Sequence, residues 1–499
     1  MKIIKFSLLL LFTLVLPFLV QAQLADSISN RMAQVEKDLS LWGKTYKEGP
    51  RYTLEELMKM RNVPGVSIAV INDFKVEWAK AYGVADVKTK VANTTNTVFA
   101  AGSIAKPMCA MGVLKLAEAN KIDLNHDINN YLTSWQYPYT KKQPITPYQI
   151  LTHTAGLKWQ PNWLINKYRK SPGILGMFKK YGEESTKQIA DPGISFSYSN
   201  SAMAIAQMMV EDITEKRYAE YMHEEVFKPL SMNRTIYLTK ENESRYPLAS
   251  AHWKEGQRTK HYHPMIAEHG AGGLWTTPTD LAKYLIEIQK GYLGEKTSVI
   301  SPAAIKSMLT PARQQLPPFY TFLHGINMFI DNNKGTKYFY HAGEGGGHSA
   351  LFVGGFENGK GLVVMTNLVD FGLVHALVNR VALVYDWENF VFNNGEVVET
   401  IEIANTSKVN FAGKYQRKDY PNHEMTIAFE HNQLIADLWG GQFACIPIST
   451  TKFWAHTTII YTEHDNPAFT TIEFLVNDEG QVEELILFNQ NKETRWRKT

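Results

Sequence analysis

A chain of 499 residues is too long for one ordinary domain of ~100–200 residues, so at least two folded units are expected. With 44% hydrophobic and 20% charged residues, the composition excludes a disordered or low-complexity protein. A formal net charge of +3 over this length excludes an electrostatic case for nucleic acid or an anionic membrane as partner.

In chain order, residues 1–5 carry two lysines, residues 6–20 are an apolar run, and Val20-Gln21-Ala22 follows. A basic start, an apolar stretch and small residues make a secretory signal peptide, with cleavage expected after Ala22. The run is shorter than the ~20 residues a spanning helix needs, so an uncleaved anchor is not expected. Gln23, not a cysteine, would then come first, which argues against a lipid anchor. The protein is expected to be secreted or periplasmic, with no stable membrane anchor. Export permits disulfides, but Cys109 and Cys445 fall in different expected units, so two separate buried thiols are expected.

Residues 24–60 read as helical, with Thr53 and Glu56 in capping-box spacing. Val63-Pro64-Gly65 breaks that pattern. Residues 66–71 and 75–82 are β-rich runs around Asn72-Asp73, which predicts a hairpin. Residues 103–120 are apolar or small on most faces, which predicts a buried helix. Further helices are expected over 201–215 and 280–290, strands over 352–367, and a closing helix over 371–385. The character changes near residue 390. From residue 410 the runs MTIAF, QLIADLW, TIEFLV and EELILF alternate between turn signals, which predicts a small antiparallel barrel or sandwich. The expected boundaries are a leader over 1–22, a first domain over 23–387, a linker over 388–408 and the β domain over 409–499.

Ser103 and Lys106 lie three residues apart at a helix start, hence on one helical face. A serine hydroxyl needs a base within hydrogen-bond reach to act as a nucleophile. A lysine serves as that base where burial or a neighbouring positive charge keeps it partly neutral, and a helix N-terminus adds donors and positive potential. Alone, this spacing is weak and commonly a solvated pair. Downstream, Tyr198-Ser199-Asn200 follows the loop signal Pro192-Gly193. A tyrosine oxygen beside a lysine can relay the serine proton and protonate a leaving group, and Asn200 can offer its amide to a substrate carbonyl. By itself the tripeptide reads more simply as a polar turn capping the next helix. The third segment, His341-Ala342-Gly343-Glu344, ends the strand KYFYHAG. Its edge can pair with an extended substrate, Gly343 permits close approach, and the N–H groups of Glu344 and Ser103 can form an oxyanion hole. His341 stands where a cationic or donor group would face a substrate carboxylate or the Tyr198 oxygen. The bland alternative is a strand running into Gly345-Gly346-Gly347. His261-Tyr262-His263 has no cysteine or carboxylate companions in metal-ligand spacing, so it is placed on a pocket rim or the surface, and no metal or cofactor is expected.

Taken together, S-x-x-K, Y-x-N and H-x-G in this order resemble the serine β-lactamase and penicillin-binding-protein superfamily, in its class C β-lactamase, D,D-peptidase and esterase branch. The stretches VPGVSIAVI, KIDLNHDINNYL, ITPYQILTHTAGL and GAGGLWTTPTDLAKYL resemble the same branch, and the likeness covers residues 45–385. The tail resembles the lipocalin-like domain appended to such hydrolases. The resemblance implies an α+β fold, an antiparallel sheet flanked by helices plus a mostly helical lobe, with the site between them. It implies a serine hydrolase in which Ser103 attacks a carbonyl, Lys106 and Tyr198 handle protons, and water hydrolyses the resulting acyl-enzyme. The partner is then a small-molecule or peptide substrate, a small ester, D-amino-acid peptide or β-lactam-like compound, and self-association into a homo-oligomer is left open. His341 replaces the lysine of K-T-G, which weakens carboxylate recognition because histidine is only partly protonated near neutral pH. Glu344 adds negative charge at the mouth if it turns inward. Esterase or D-peptidase activity is therefore expected ahead of β-lactam turnover. Residues 158–190, with Trp159, Trp163, Tyr168 and Phe178, either wall the pocket or pack two helical pieces. The competing readings are a penicillin-binding-type sensor that acylates without turnover and a non-catalytic scaffold. A sensor calls for a signalling segment or membrane helix, which the sequence does not display, and a dead scaffold commonly loses the serine, lysine or tyrosine, all present here.

Overall fold

A computed structural model describes residues 25–40, 51–138, 143–158, 164–165, 173–253, 256–312, 323–333 and 335–390. Towards the C-terminus it describes 403–419, 423–430, 433–438, 441–447, 449–457, 470–477, 479–489 and 492–499. The expected leader and the aromatic residues Trp159, Trp163 and Tyr168 lie outside the described residues.

The first domain is built on one antiparallel sheet. Its strands are β1 (Gly65–Asn72), β2 (Lys75–Asp86), β3 (Val91–Ala92), β4 (Leu323–His324), β5 (Phe329–Asn333), β6 (Thr336–Glu344), β7 (Ser349–Gly355) and β8 (Gly361–Thr366). They lie in the order β3-β2-β1-β8-β7-β6-β5-β4. The helices that position the site or cover the sheet are α1 (Ala105–Glu118), α2 (Asn200–Thr214), α3 (Pro278–Tyr292) and α4 (Phe371–Val384). Ala69, Ile71, Val363 and Met365 belong to the core that includes Tyr284, Leu285 and Ile288 of α3. Val66, Ile68, Val70, Leu362 and Val364 belong to a second core with Leu373, Leu377 and Val381 of α4. A strand covered on both faces keeps no polar side, and β1 therefore reads as an apolar run instead of alternating. The described residues between 99 and 276, including α1 and α2, form the mostly helical lobe between β3 and β4.

Two local expectations are corrected. The β1–β2 turn falls on Asp73 and Phe74, both in the left-handed region at φ 52° and 55°, one residue later than Asn72-Asp73. Two positive-φ residues make the turn whose twist suits a tight hairpin, and the Phe74 N–H donates to Gly359 O at 3.1 Å. The continuous helix expected over 24–60 does not form. Residues 25–35 are helical, Asp38 turns the chain at φ 54°, and Leu39 pairs with Tyr52. A separate helix, Leu54–Met60, then starts at the Thr53–Glu56 capping box.

The C-terminal unit is a closed barrel of eight antiparallel strands: β9 (Gly413–Arg417), β10 (Glu424–Glu430), β11 (Gln433–Leu438), β12 (Gly441–Pro447), β13 (Lys452–Thr457), β14 (Thr470–Val476), β15 (Val482–Asn489) and β16 (Lys492–Lys498). Each strand pairs with the next, and β16 closes onto β9 through Gln416 opposite Arg497. Alternate residues such as Met425 and Ile427, Leu434 and Ala436, and Leu485 and Leu487 are buried in its core. A helix, Asn405–Phe411, occupies the last residues of the expected linker, and its Phe411 ring lies 4.5 Å from Phe474 and 5.1 Å from Phe453. Both cysteines are buried thiols outside any disulfide, Cys109 in α1 and Cys445 in β12.

Candidate active site

Ser103 follows the strand Phe99–Gly102 and leads into α1. One turn on, Lys106 is fully buried, and its Nζ donates to Ser103 Oγ at 2.9 Å and to Ala271 O at 2.7 Å. A buried ammonium is costly unless hydrogen-bonded, and these acceptors meet part of that demand. The same Nζ sits 4.8 Å from the centre of the Tyr198 ring, within cation–π range. Tyr198 stands one residue before Ser199, whose Oγ caps α2 by accepting the Ala202 N–H at 3.1 Å. Asn200 is the first residue of α2 and is buried. The serine–lysine pair and the tyrosine therefore come from the N-terminal ends of two buried helices.

The end of β6 supplies the third side. Its pairing with β5 stops at Tyr340, whereas its pairing with β7 continues to Glu344 opposite Ser349. Residues 341–344 thus have no β5 partner. A Cβ on Gly343 would lie 1.9 Å from Ala101 O and 3.1 Å from Ser103 N, and one on Gly102 would lie 2.2 Å from Glu344 O. Only glycine at both positions lets the backbones of Glu344 and Ser103 come this close, and Gly102 is itself left-handed at φ 52°.

At His341, where the sequence expects only a weakened positive charge, the surroundings disfavour any charge. Its ring is buried, and burial, with Lys106 nearby, pushes its pKa down to about 3, so it is neutral near pH 7. Nδ1 lies 2.6 Å from Ala342 O, and a carbonyl only accepts, so Nδ1 carries the proton. Nε2 is left as a buried acceptor with no hydrogen-bond partner among the described residues. Glu344 is exposed, and partial burial of its carboxyl raises its pKa above the ordinary glutamate value. Among the described residues no ion pair or side-chain hydrogen bond engages that carboxylate.

His153, inside ITPYQILTHTAGL, received no role from the sequence. Its buried ring lies 4.5 Å from the Tyr198 ring. A histidine between two threonines in a helix-to-loop exit was the available signal, and nothing in its spacing from residue 198 made the contact visible. Of the aromatic residues in 158–190, Phe178 is buried and stacks on Trp135 at 4.8 Å, in line with the packing alternative. His261 is exposed, while His263 Nδ1 lies 2.7 Å from Glu243 Oε1. Among the described residues no three His, Cys, Asp or Glu side chains are grouped to hold a metal ion, and no helix is long and apolar enough to cross a membrane.

Comparison with known proteins agrees with this architecture. A teichoic acid D-alanine hydrolase of Staphylococcus aureus is 25% identical over 249 residues, 48% of this chain and 58% of that protein. Protein flp of Staphylococcus aureus (strain MRSA252) is 23% identical over 325 residues, 63% of this chain and 62% of that protein. The matches thus span less than two thirds of these relatives' own length. Among solved structures, the octameric penicillin-binding protein homologue from Pyrococcus abyssi superposes with a TM-score of 0.61 at 20% identity, covering 89% of this chain and 99% of that one. SurE superposes with a TM-score of 0.58 at 18% identity, covering 89% and 97%. At such identities these two likenesses concern the fold. The family model described as Beta-lactamase matches residues 51–385, two thirds of the sequence, and the chain belongs to that hydrolase family.

Proposed function

We propose that this protein is a serine hydrolase that opens an ester or amide through an acyl-enzyme on Ser103. The observation that carries the reading is Lys106 Nζ at 2.9 Å from Ser103 Oγ with the Tyr198 ring beside it. Ser103 Oγ attacks the substrate carbonyl carbon, and its proton passes to the Lys106–Tyr198 pair, which holds one proton fewer than ammonium plus phenol and so has either the amine or the phenolate free to accept it. The N–H groups of Ser103 and Glu344 receive the oxyanion of the tetrahedral intermediate. As that intermediate collapses, the bond to the leaving group breaks and the pair returns the proton to it. Water then hydrolyses the acyl-serine by the same steps in reverse order.

The substrate class we favour is a D-aminoacyl ester. The relative whose name specifies D-alanine hydrolysis supports it, and so does the charge of the site. Neither His341 nor Glu344 offers a cation for a substrate carboxylate. The exposed Glu344 carboxylate is an acceptor suited to an ammonium group. The leader at residues 1–22 would place this activity outside the cytoplasm.

The test is intact-mass spectrometry after brief exposure to a fluorophosphonate probe, with Ser103→Ala alongside. One adduct on the wild type and none on the variant is expected. A folded wild type that takes no adduct would sink the nucleophile assignment. In parallel, kcat/KM for D-alanine methyl ester should exceed that for its N-acetyl form, and Glu344→Gln should shrink the ratio about tenfold, the size of ~1.4 kcal/mol. An unchanged ratio would remove Glu344 from substrate selection.

A further inference from the structure

We infer that His153 is a positioning residue that holds the Tyr198 hydroxyl in its working place, an inference resting on the proton-handling role proposed for Tyr198. Three consecutive residues of the tyrosine segment are engaged by this one histidine. The Ser197 N–H donates to His153 O at 2.7 Å. The Ser199 N–H donates to His153 Nδ1 at 3.3 Å. Between them, the Tyr198 ring packs on the imidazole at 4.5 Å between centroids, tilted by 34°. The turn that presents the tyrosine is thereby held by backbone on one side, by a ring nitrogen on the other, and by ring packing in the middle.

The surrounding loop extends the same arrangement. The Gly193 N–H donates to Thr154 O at 2.7 Å, and the Ile189 N–H to Gly156 O at 2.8 Å. Ser197 Oγ donates to Leu157 O at 3.0 Å, and Ser199 Oγ to Lys158 O at 3.1 Å. Residues 153–158 form a cradle of acceptors beneath the approach to α2.

The chemistry of the ring suits this duty. Nδ1 must stay unprotonated to accept the Ser199 N–H, which places the proton on Nε2. Burial, together with His324, Lys106 and His341 around it, holds the imidazole neutral. A ring packed against Tyr198 and locked in one tautomer leaves the phenol little freedom to tilt, and a displacement of about 1 Å at a reacting group costs on the order of 100-fold in rate.

The experiment is a double-mutant cycle on His153→Asn and Tyr198→Phe, read as kcat and KM with p-nitrophenyl acetate, with melting temperature and fluorophosphonate labelling of Ser103 alongside. Asparagine keeps an acceptor near the Nδ1 position and tolerates the left-handed backbone of residue 153, φ 55°, but removes the ring. His153→Asn should lower kcat on the order of 10- to 100-fold with KM nearly unchanged. In the Tyr198→Phe background the same change should cost nothing more, because there is no hydroxyl left to position. Additive losses, or a lowered melting temperature at unchanged kcat, would overturn the inference. His153→Gln, which moves the acceptor away from Ser199, should do worse than His153→Asn, and the reverse order would count against the Nδ1 contact. Should Tyr198→Phe alone leave kcat unaltered, the proton-handling role of Tyr198 fails instead, and the positioning role falls with it.

Discussion

Gly343 carries the tightest steric demand at the site. Alanine there would push a methyl to 1.9 Å from Ala101 O, so β6 and the Ser103 turn would have to separate. The N–H of Glu344 would then leave the place where an oxyanion forms, and removing such a donor costs on the order of 10²–10³ in kcat. Gly343→Ala should therefore lose about that much turnover while Ser103 stays present and the fold persists; equal kcat in both proteins would reject the steric account. Ser103, Lys106, Tyr198, Asn200, His341, Gly343 and Glu344 could all be named from the sequence because each sits in a short pattern. What the pattern could not carry was state. Whether His341 is charged depends on how deeply it is buried and on which carbonyl its Nδ1 meets, and both are properties of the assembled core. His153 escaped notice for a related reason: its partners lie more than forty residues away, on a segment that only the folded lobe brings beside it.

At the scale of elements, the N-terminal helix over residues 25–35 is fastened to the sheet by charge. Arg31 Nη2 meets Glu77 Oε1 at 2.7 Å and Nε meets Oε2 at 3.2 Å, a two-point contact between helix and β2. Tyr385, just past α4, donates to the same carboxylate and accepts the Trp78 Nε1–H at 2.8 Å. The Arg31 and Glu77 side chains are 26% and 11% exposed, so the pair lies between the negligible surface case and the costly buried one. Glu77→Ala should cost about 2 kcal/mol and make residues 25–35 the first site of limited proteolysis; unchanged melting and cleavage would show that the helix is held by its apolar face alone. The misjudged span over 24–60 has a lesson here. A capping box starts a helix, so Thr53–Glu56 was itself a sign that the chain had left one helix and begun another. The strands of the barrel, by contrast, were readable because their alternation is set by a core on one face and solvent on the other.

Over the whole molecule, the buried histidines set the response to acid. His153, His269, His324, His341 and His348 are all held below the ordinary histidine value, chiefly by burial, His269 to about 4 and His324, His341 and His348 to about 3. In the unfolded chain each would titrate near pH 6.5. Below that pH the unfolded state takes up protons that the native state refuses, so stability falls as the pH drops, by about 1.4 kcal/mol per pH unit for each histidine. Asp331, pushed up to about 6 by burial, works in the opposite sense, as do Glu211 and Glu344, whose carboxyls burial also raises, but these groups are fewer than the histidines. Melting temperature should decline steeply between pH 6.5 and 4.5 and stay level from 7 to 8; a flat profile across the acid range would mean that these rings are protonated in the native protein.

The sheet order has a consequence for how the protein comes into being. β1 lies against β8, with Val66 opposite Thr366, about 300 residues on. Ser103 arrives early in the chain, Tyr198 in the middle and His341 near the end of the domain, and no emerging portion holds all three. Long-range pairings of this kind form late, after the entropy of closing so large a loop has been met. A partly made chain therefore lacks one wall of the site, and whatever hydrolytic capacity the finished molecule has waits on the closing of β1 against β8.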